Sequence, residues 1–196
     1  MKQLNPAEKQ DSLDVLNYQI RCCNNCGLFA SRKYALVGEG NPDSPFMFVA
    51  LSPGFKENEE NKMFIGPSGQ VFNTLLRTAS ISRESIFMTN LVKCMLPKNR
   101  KPKSGEIKAC IPFLMEEISI VNPEIIVPLG AYATNAIIAG LNPYTLPGIN
   151  FSRLNGQITT INKRKVYPLP HPAALLYNPG FELNTIEKYR MLKNYL

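Results

Sequence analysis

The sequence predicts an α/β fold in which a parallel sheet is covered by helices on both faces. Three observations carry that expectation. Short apolar runs ended by turn residues alternate with longer amphipathic stretches through the middle of the chain. The stretches between the runs are long enough to cross over a sheet, which is what joins parallel neighbours. The runs themselves read as continuously apolar, as strands buried on both faces do. At 196 residues there is material for one substantial core, so a single domain over residues 1–196 is expected. No internal repeat, low-complexity tract or interdomain linker interrupts it.

Asn5-Pro6 pairs an N-cap with a first-turn proline, and Leu13, Leu16 and Ile20 follow at helical spacing. A first helix is therefore predicted to deliver the cysteines of "RCCNNCGLFA" (21–30) to a loop. "SPFMFVALS" (44–52) reads as a buried strand stopped by Pro53-Gly54. "GPSGQVFNTLLRTA" (66–79) predicts a helix, with Pro67 in the first turn and Val71, Leu75 and Leu76 on one side. "SIFMTNLV" is expected as strand, "SGEIKACIPFLMEEISIV" as helix from Ser104, "PEIIVPLG" as strand and "AYATNAIIAG" as helix. The region 141–170 leaves this rhythm; "GQITTI" and "KVYPL" flank "NKR" and suggest a hairpin before a last parallel strand. A final helix fits 181–195.

Composition narrows the function classes. The N-terminal segment has neither the basic n-region nor the apolar run of a signal peptide, and no apolar stretch approaches the roughly 18 residues of a membrane span. A soluble monomer is expected, intracellular in the cytoplasm or nucleoid, with no membrane partner. In a reducing compartment an odd count of five cysteines argues against a disulfide framework. Twenty-two Lys and Arg against 15 acids give a net charge of +7, which favours polyanionic partners. The excess is local: Lys93, Lys98, Arg100, Lys101 and Lys103 share a proline-interrupted loop without an acid. Phosphate contact and a merely solvated basic loop are equally compatible with that charge pattern.

Ligands of an open parallel sheet bind beyond the carboxyl ends of its strands. That edge would hold Ser52-Pro53-Gly54, Thr89-Asn90, Gly130 and His171. Cys23 and Cys26 have the C-x2-C spacing that lets one loop ligate a common centre; Cys94 and Cys110 lie 16 positions apart further on. A second C-x2-C is absent. By spacing alone, structural zinc, an iron-sulfur centre and unligated thiols remain open.

The order of motifs resembles the iron-sulfur-containing family 4 uracil-DNA glycosylases over nearly the whole length. The matching pieces are "CNNCGL", "GEGNPDSPFMFVALSPG", "MFIGPSGQVFNTLL", "TNLVKCMLPKNR", "EIKACIPFL", "PEIIVPLG" and "HPAALL". The resemblance implies a three-layer sandwich with a central four-stranded parallel sheet. It implies a structural [4Fe-4S] cluster on Cys23, Cys26, Cys94 and Cys110, with Cys22 spare. It also implies a monofunctional glycosylase that removes uracil from single- or double-stranded DNA and leaves an abasic site.

Residue by residue, the resemblance gives Phe64 the stacking face for a flipped base, Pro53 and Gly54 the pocket wall, and Asn90 the reading of the base edge. One amide offers both a donor and an acceptor to uracil. His171, the single histidine, would donate to the uracil oxygen on which charge builds. Leu175 and Leu176 resemble the wedge that fills the gap left by the base, while Lys98, Arg100 and Ser68 are candidate phosphate contacts. The family's Gly-Glu-Ala-Pro-Gly reads Ala50-Leu51-Ser52-Pro53-Gly54 here, so the water-handling glutamate is replaced by Leu51, as in the family 5 motif. Ser52 and the downstream acid Glu57 are the remaining candidates for holding water. Three alternative outcomes are compatible with that change: slow turnover, a shift towards hypoxanthine or xanthine, or DNA binding without cleavage. Tyr177 stands where the family often carries Arg.

Overall fold

The computed structural model describes residues 4–142, 144, 150–178, 180 and 182–195. Helix α1 (Pro6–Cys22) starts at a reciprocal cap: the Asn5 side chain accepts from the Glu8 N–H at 3.0 Å, and Glu8 accepts from the Asn5 N–H at 2.8 Å. Its buried stripe of Leu13, Leu16 and Ile20 is the one that the spacing predicts. Strand β1 (Glu39–Gly40) precedes β2 (Phe46–Ala50), which leads through α2 (Phe55–Glu60) into α3 (Pro67–Thr78). Then follow β3 (Phe87–Asn90), α4 (Ser104–Val121), β4 (Ile125–Pro128) and α5 (Ala131–Leu141). The chain closes with α6 (Phe151–Leu154), β5 (Thr159–Ile161), β6 (Arg164–Val166), α7 (Ala173–Tyr177) and α8 (Glu182–Met191).

The sheet has six strands in the order β1-β3-β2-β4-β6-β5. The four central strands are parallel, as expected, and a short antiparallel strand is added at each edge. β1, two residues long, has no sequence signature, whereas β5 lies in the "GQITTI" half of the expected hairpin and is at most partly buried. The predicted hairpin forms, with Asn162 and Lys163 at φ 47° and 67° as a two-residue turn of the primed type requires. Its second strand is itself the fourth parallel strand, rather than a prelude to one. The last helix is α8 followed by a 3₁₀ turn at Leu192–Tyr195; position 181, where the sequence placed its start, lies outside the described residues. Among the described residues no helix is long and apolar enough to cross a membrane.

Strand alternation divides the core in two. Met47 and Val49 of β2 face a cluster built with α1, α4 and α5; Phe46, Phe48 and Ala50 face one built with α3 and α8. A different cavity opens on each side of the sheet.

Candidate active site and cysteine site

β2 runs into Ser52-Pro53-Gly54, β3 ends on Asn90, and the chain beyond β6 reaches His171. A cavity of about 270 Å³ opens where these ends meet, lined by Ala50, Ser52, Pro53, Gly54, Glu57, Met63, Phe64, Ser68, Asn90 and His171. The three candidate catalytic residues and the four candidate base contacts thus share one cavity, with Ser68 at its wall.

Glu57 is buried on α2. One carboxylate oxygen, Oε1, accepts from the N–H groups of Ile65 (3.0 Å) and Gly66 (2.8 Å), so the acid fixes the loop that carries Phe64. Its other oxygen lies against Gly54, where a Cβ would come within 2.6 Å of it. Only glycine permits that approach. Phe64 adopts φ 51°, a strained conformation for a bulky residue that persists where surrounding contacts impose it. The ring stacks on Phe72 with centroids 4.3 Å apart, and a Cβ on Gly69 would stand 2.0 Å from the Phe64 carbonyl oxygen. Packing and cavity lining are therefore both served by this one ring.

Asn90 is buried at the end of β3, where its Nδ2 donates to the Met63 sulfur at 3.1 Å. Thioether sulfur is a weak acceptor, so most of the amide's capacity is left for a ligand. His171 Nδ1 accepts from the Ala173 N–H at 3.1 Å, which puts the ring proton on Nε2. Burial pushes the imidazole down to about 4, with the Glu57 carboxylate opposing, so the ring is a neutral N–H donor at physiological pH.

On the opposite face of the sheet a second cavity, of about 280 Å³, is lined by Ile20, Cys23, Asn25, Cys26, Arg32, Lys93, Cys94, Ala109, Cys110 and Phe113. Cys22 is exposed and does not line it. Arg32 donates to the Cys94 sulfur at 3.3 Å. Burial pushes the Cys94 thiol up, and Cys110 up to about 11, so neither would ionise at neutral pH without a cationic centre to bind. Among the described residues no three His, Cys, Asp or Glu side chains are grouped to hold a single ion. The four thiols surround a space rather than converge on a point.

Residues 37–194 match the uracil DNA glycosylase superfamily. The chain belongs to that superfamily. It is 37% identical over 95% of its length, and 87% of the relative's, to a type-4 uracil-DNA glycosylase of Saccharolobus solfataricus. A type-4 uracil-DNA glycosylase of Thermotoga maritima is 34% identical, covering 91% of this chain and 90% of its own. A type-5 uracil-DNA glycosylase of Pyrobaculum aerophilum is 29% identical over 72% of this chain and 66% of its own.

In this superfamily member the base-sized cavity opens into a wider groove, whose walls include Leu51, Phe55, Lys56, Ser68, Arg100, Leu176 and Tyr177. Leu51 lines only the groove and packs its side chain onto the α1/α4 core; Glu57 is the one carboxylate lining the cavity. Arg100 reaches the groove while paired with Glu106 through two contacts, at 2.9 and 2.6 Å. Lys98 is exposed, with φ 53°, beside the groove rather than in its wall. The two leucines separate. Leu175 is half-buried against the α3/α8 core, and Leu176 is exposed, because adjacent residues of a helix point about 100° apart. Of the two, only Leu176 lines the groove.

Two features escaped the sequence reading. Phe55 stands in the groove wall, and the only hint was one aromatic opening the otherwise charged "FKENEE". A buried network also joins Lys93 Nζ to Glu117 Oε2 and Thr89 Oγ1, both at 2.6 Å. Lysine and glutamate on different elements give no local signal of pairing.

Proposed function

We propose that the protein is a DNA repair glycosylase that hydrolyses the N-glycosidic bond of uracil in DNA and leaves an abasic site. The observation that carries this reading is the neutral His171 with its free Nε2–H in a cavity that also holds Asn90, Phe64 and Glu57. A uracil turned out of the stack would lie against Phe64 while Asn90 pairs with its edge. As the bond to the sugar breaks, negative charge builds on the uracil oxygen and the Nε2–H donates to it. A neutral donor in a site shielded from water stabilises that charge without giving up its proton. The bond electrons leave with the base, water adds to the sugar carbon and passes its proton through the Glu57 carboxylate to solvent, and the released uracil anion takes a proton back from solvent.

Glu57 Oε2 and the Ser52 hydroxyl are the groups positioned to hold that water. Leu51 cannot orient or deprotonate it. The reaction therefore depends on departure of the base more than on a strong nucleophile, and Leu51 favours slow turnover. The four cysteines would hold a [4Fe-4S] cluster, supported by an all-thiol donor set spread around one cavity and by the Arg32 hydrogen bond to sulfur. Bound there, the cluster supplies a cross-link between the end of α1, the loop after β3 and α4. The reading places the protein with intracellular DNA.

Excision from oligonucleotides containing uracil, hypoxanthine or xanthine, under enzyme excess, tests the assignment. Uracil release should fall about 10²- to 10³-fold in His171→Ala and rise severalfold in Leu51→Glu. A wild-type protein that binds DNA but releases none of these bases would sink the glycosylase reading.

A further inference from the structure

Large apolar side chains are costly to leave in water, and when they gather around one groove they mark a contact surface. Phe55 is 69% exposed, Leu176 45% and Tyr177 87%, and all three line the groove outside the base-sized cavity. Phe55 begins α2 directly after the Ser52-Pro53-Gly54 turn, and Tyr177 ends α7, six positions beyond His171. The two rings therefore sit on segments that also supply cavity residues, Phe55 next to Gly54 and Tyr177 on the helix after His171. Lys56, exposed beside Phe55, puts a cation on the groove wall, and Arg100 adds a second, a guanidinium that is paired with Glu106. Exposed aromatics interleaved with cations are the arrangement that holds single-stranded nucleic acid, with bases on the rings and phosphates on the charges.

We infer that Phe55 and Tyr177 form an aromatic clamp that stacks on the nucleobases flanking the flipped uracil, and that this clamp gives the enzyme a preference for single-stranded DNA. The inference rests on the glycosylase reading for the identity of the central base. In a duplex the neighbours of a flipped base are paired and stacked, so two protein rings must displace existing contacts. In a single strand each neighbour offers a free face. Leu176, in the same groove, would fill the gap that the flipped base leaves.

The test uses the full chain and a labelled single strand that carries 2′-fluoro-2′-deoxyuridine, whose glycosidic bond resists cleavage. Affinity is read by fluorescence anisotropy with normal neighbours and with both neighbours replaced by base-less spacers. Wild type should lose about fivefold or more when the flanking bases are removed. The Phe55→Ala/Tyr177→Ala double variant should bind the normal strand about as weakly and be indifferent to the spacers, while Tyr177→Phe, which keeps the ring, responds like wild type. Excision of uracil by wild type should favour single strand over duplex, and the double variant should lose that preference. Wild type that excises uracil yet ignores the spacers, or a double variant that responds to them like wild type, would overturn the clamp. Failure of the glycosylase reading has a different signature: no excision, and equal affinity for strands with uracil or thymine at the centre.

Discussion

Two cavities lie on opposite faces of one sheet, one at the cysteines and one at His171. Their chemistry differs in kind. The cysteine cavity is lined by four thiols, Cys23 and Cys26 from the loop after α1, Cys94 from the loop after β3 and Cys110 from α4, together with Arg32 and Lys93. A donor set of this kind suits one soft centre. The other cavity is lined by unlike groups, each held by a neighbour: Glu57 by two backbone N–H groups, His171 by the Ala173 N–H, Phe64 by Phe72. It is preorganised for an occupant that enters and leaves. Thr89 and Asn90 draw the boundary, since successive strand residues face opposite ways. Thr89 bonds into the Lys93–Glu117 network beside the cysteines, and Asn90 enters the base cavity.

Removing a ligand breaks the comparison most severely. Cys110→Ala should abolish the broad visible absorption of the purified protein and lower Tm by more than about 10 °C, because binding a structural centre is itself folding free energy. Excision should fall only in proportion to the protein that remains folded. His171→Ala should do the reverse, losing excision with absorption and Tm unchanged. A stable, colourless and fully active Cys110→Ala protein would remove the structural cluster from the account.

The next effect lies on the boundary. Lys93 and Glu117 are both buried, and their ion pair measures 2.6 Å. Glu117→Ala leaves a lysine charge buried and unpaired, and should cost about 3–5 kcal/mol in denaturant unfolding. The double change Lys93→Met with Glu117→Leu removes both charges and should cost much less. Equal losses in the single and double variants would mean that the network matters for shape rather than charge.

The contrast between the cavities also explains what could be read from the sequence. The central parallel strands announce themselves as apolar runs, and the placement of ligands at their carboxyl ends follows from topology; so Ser52, Asn90 and His171 could be gathered before any coordinates. Two-residue β1 has no periodicity to detect, and the β5–β6 hairpin hides a parallel strand inside a polar turn region. The split between Leu175 and Leu176 depends on the rotation of a five-residue helix. Phe55 looks like a chance aromatic until the groove exists. Pairing of Lys93 with Glu117 spans 24 residues and is set by packing alone.

The smallest effect separates the cavities by pH. His171 has an ordinary value of 6.5 and is held at about 4 by burial, with Glu57 opposing. Above pH 6.5 the imidazole is neutral in both folded and unfolded chains and contributes no pH dependence. Between about 6.5 and 4 the unfolded chain binds a proton that the folded chain refuses, so stability falls as pH falls. The loss grows by about 1.4 kcal/mol per unit and ends near 3 kcal/mol at pH 4. Urea unfolding of wild type at pH 7, 5.5 and 4.5 should show this loss beyond that of His171→Asn, which carries no titrating ring. Excision should correspondingly pass through pH 6.5 without a break, because the donor stays neutral there. An inflection of the single-turnover rate at 6.5 that disappears in His171→Asn would mean that the ring titrates as in water, and that the cavity does not shield it.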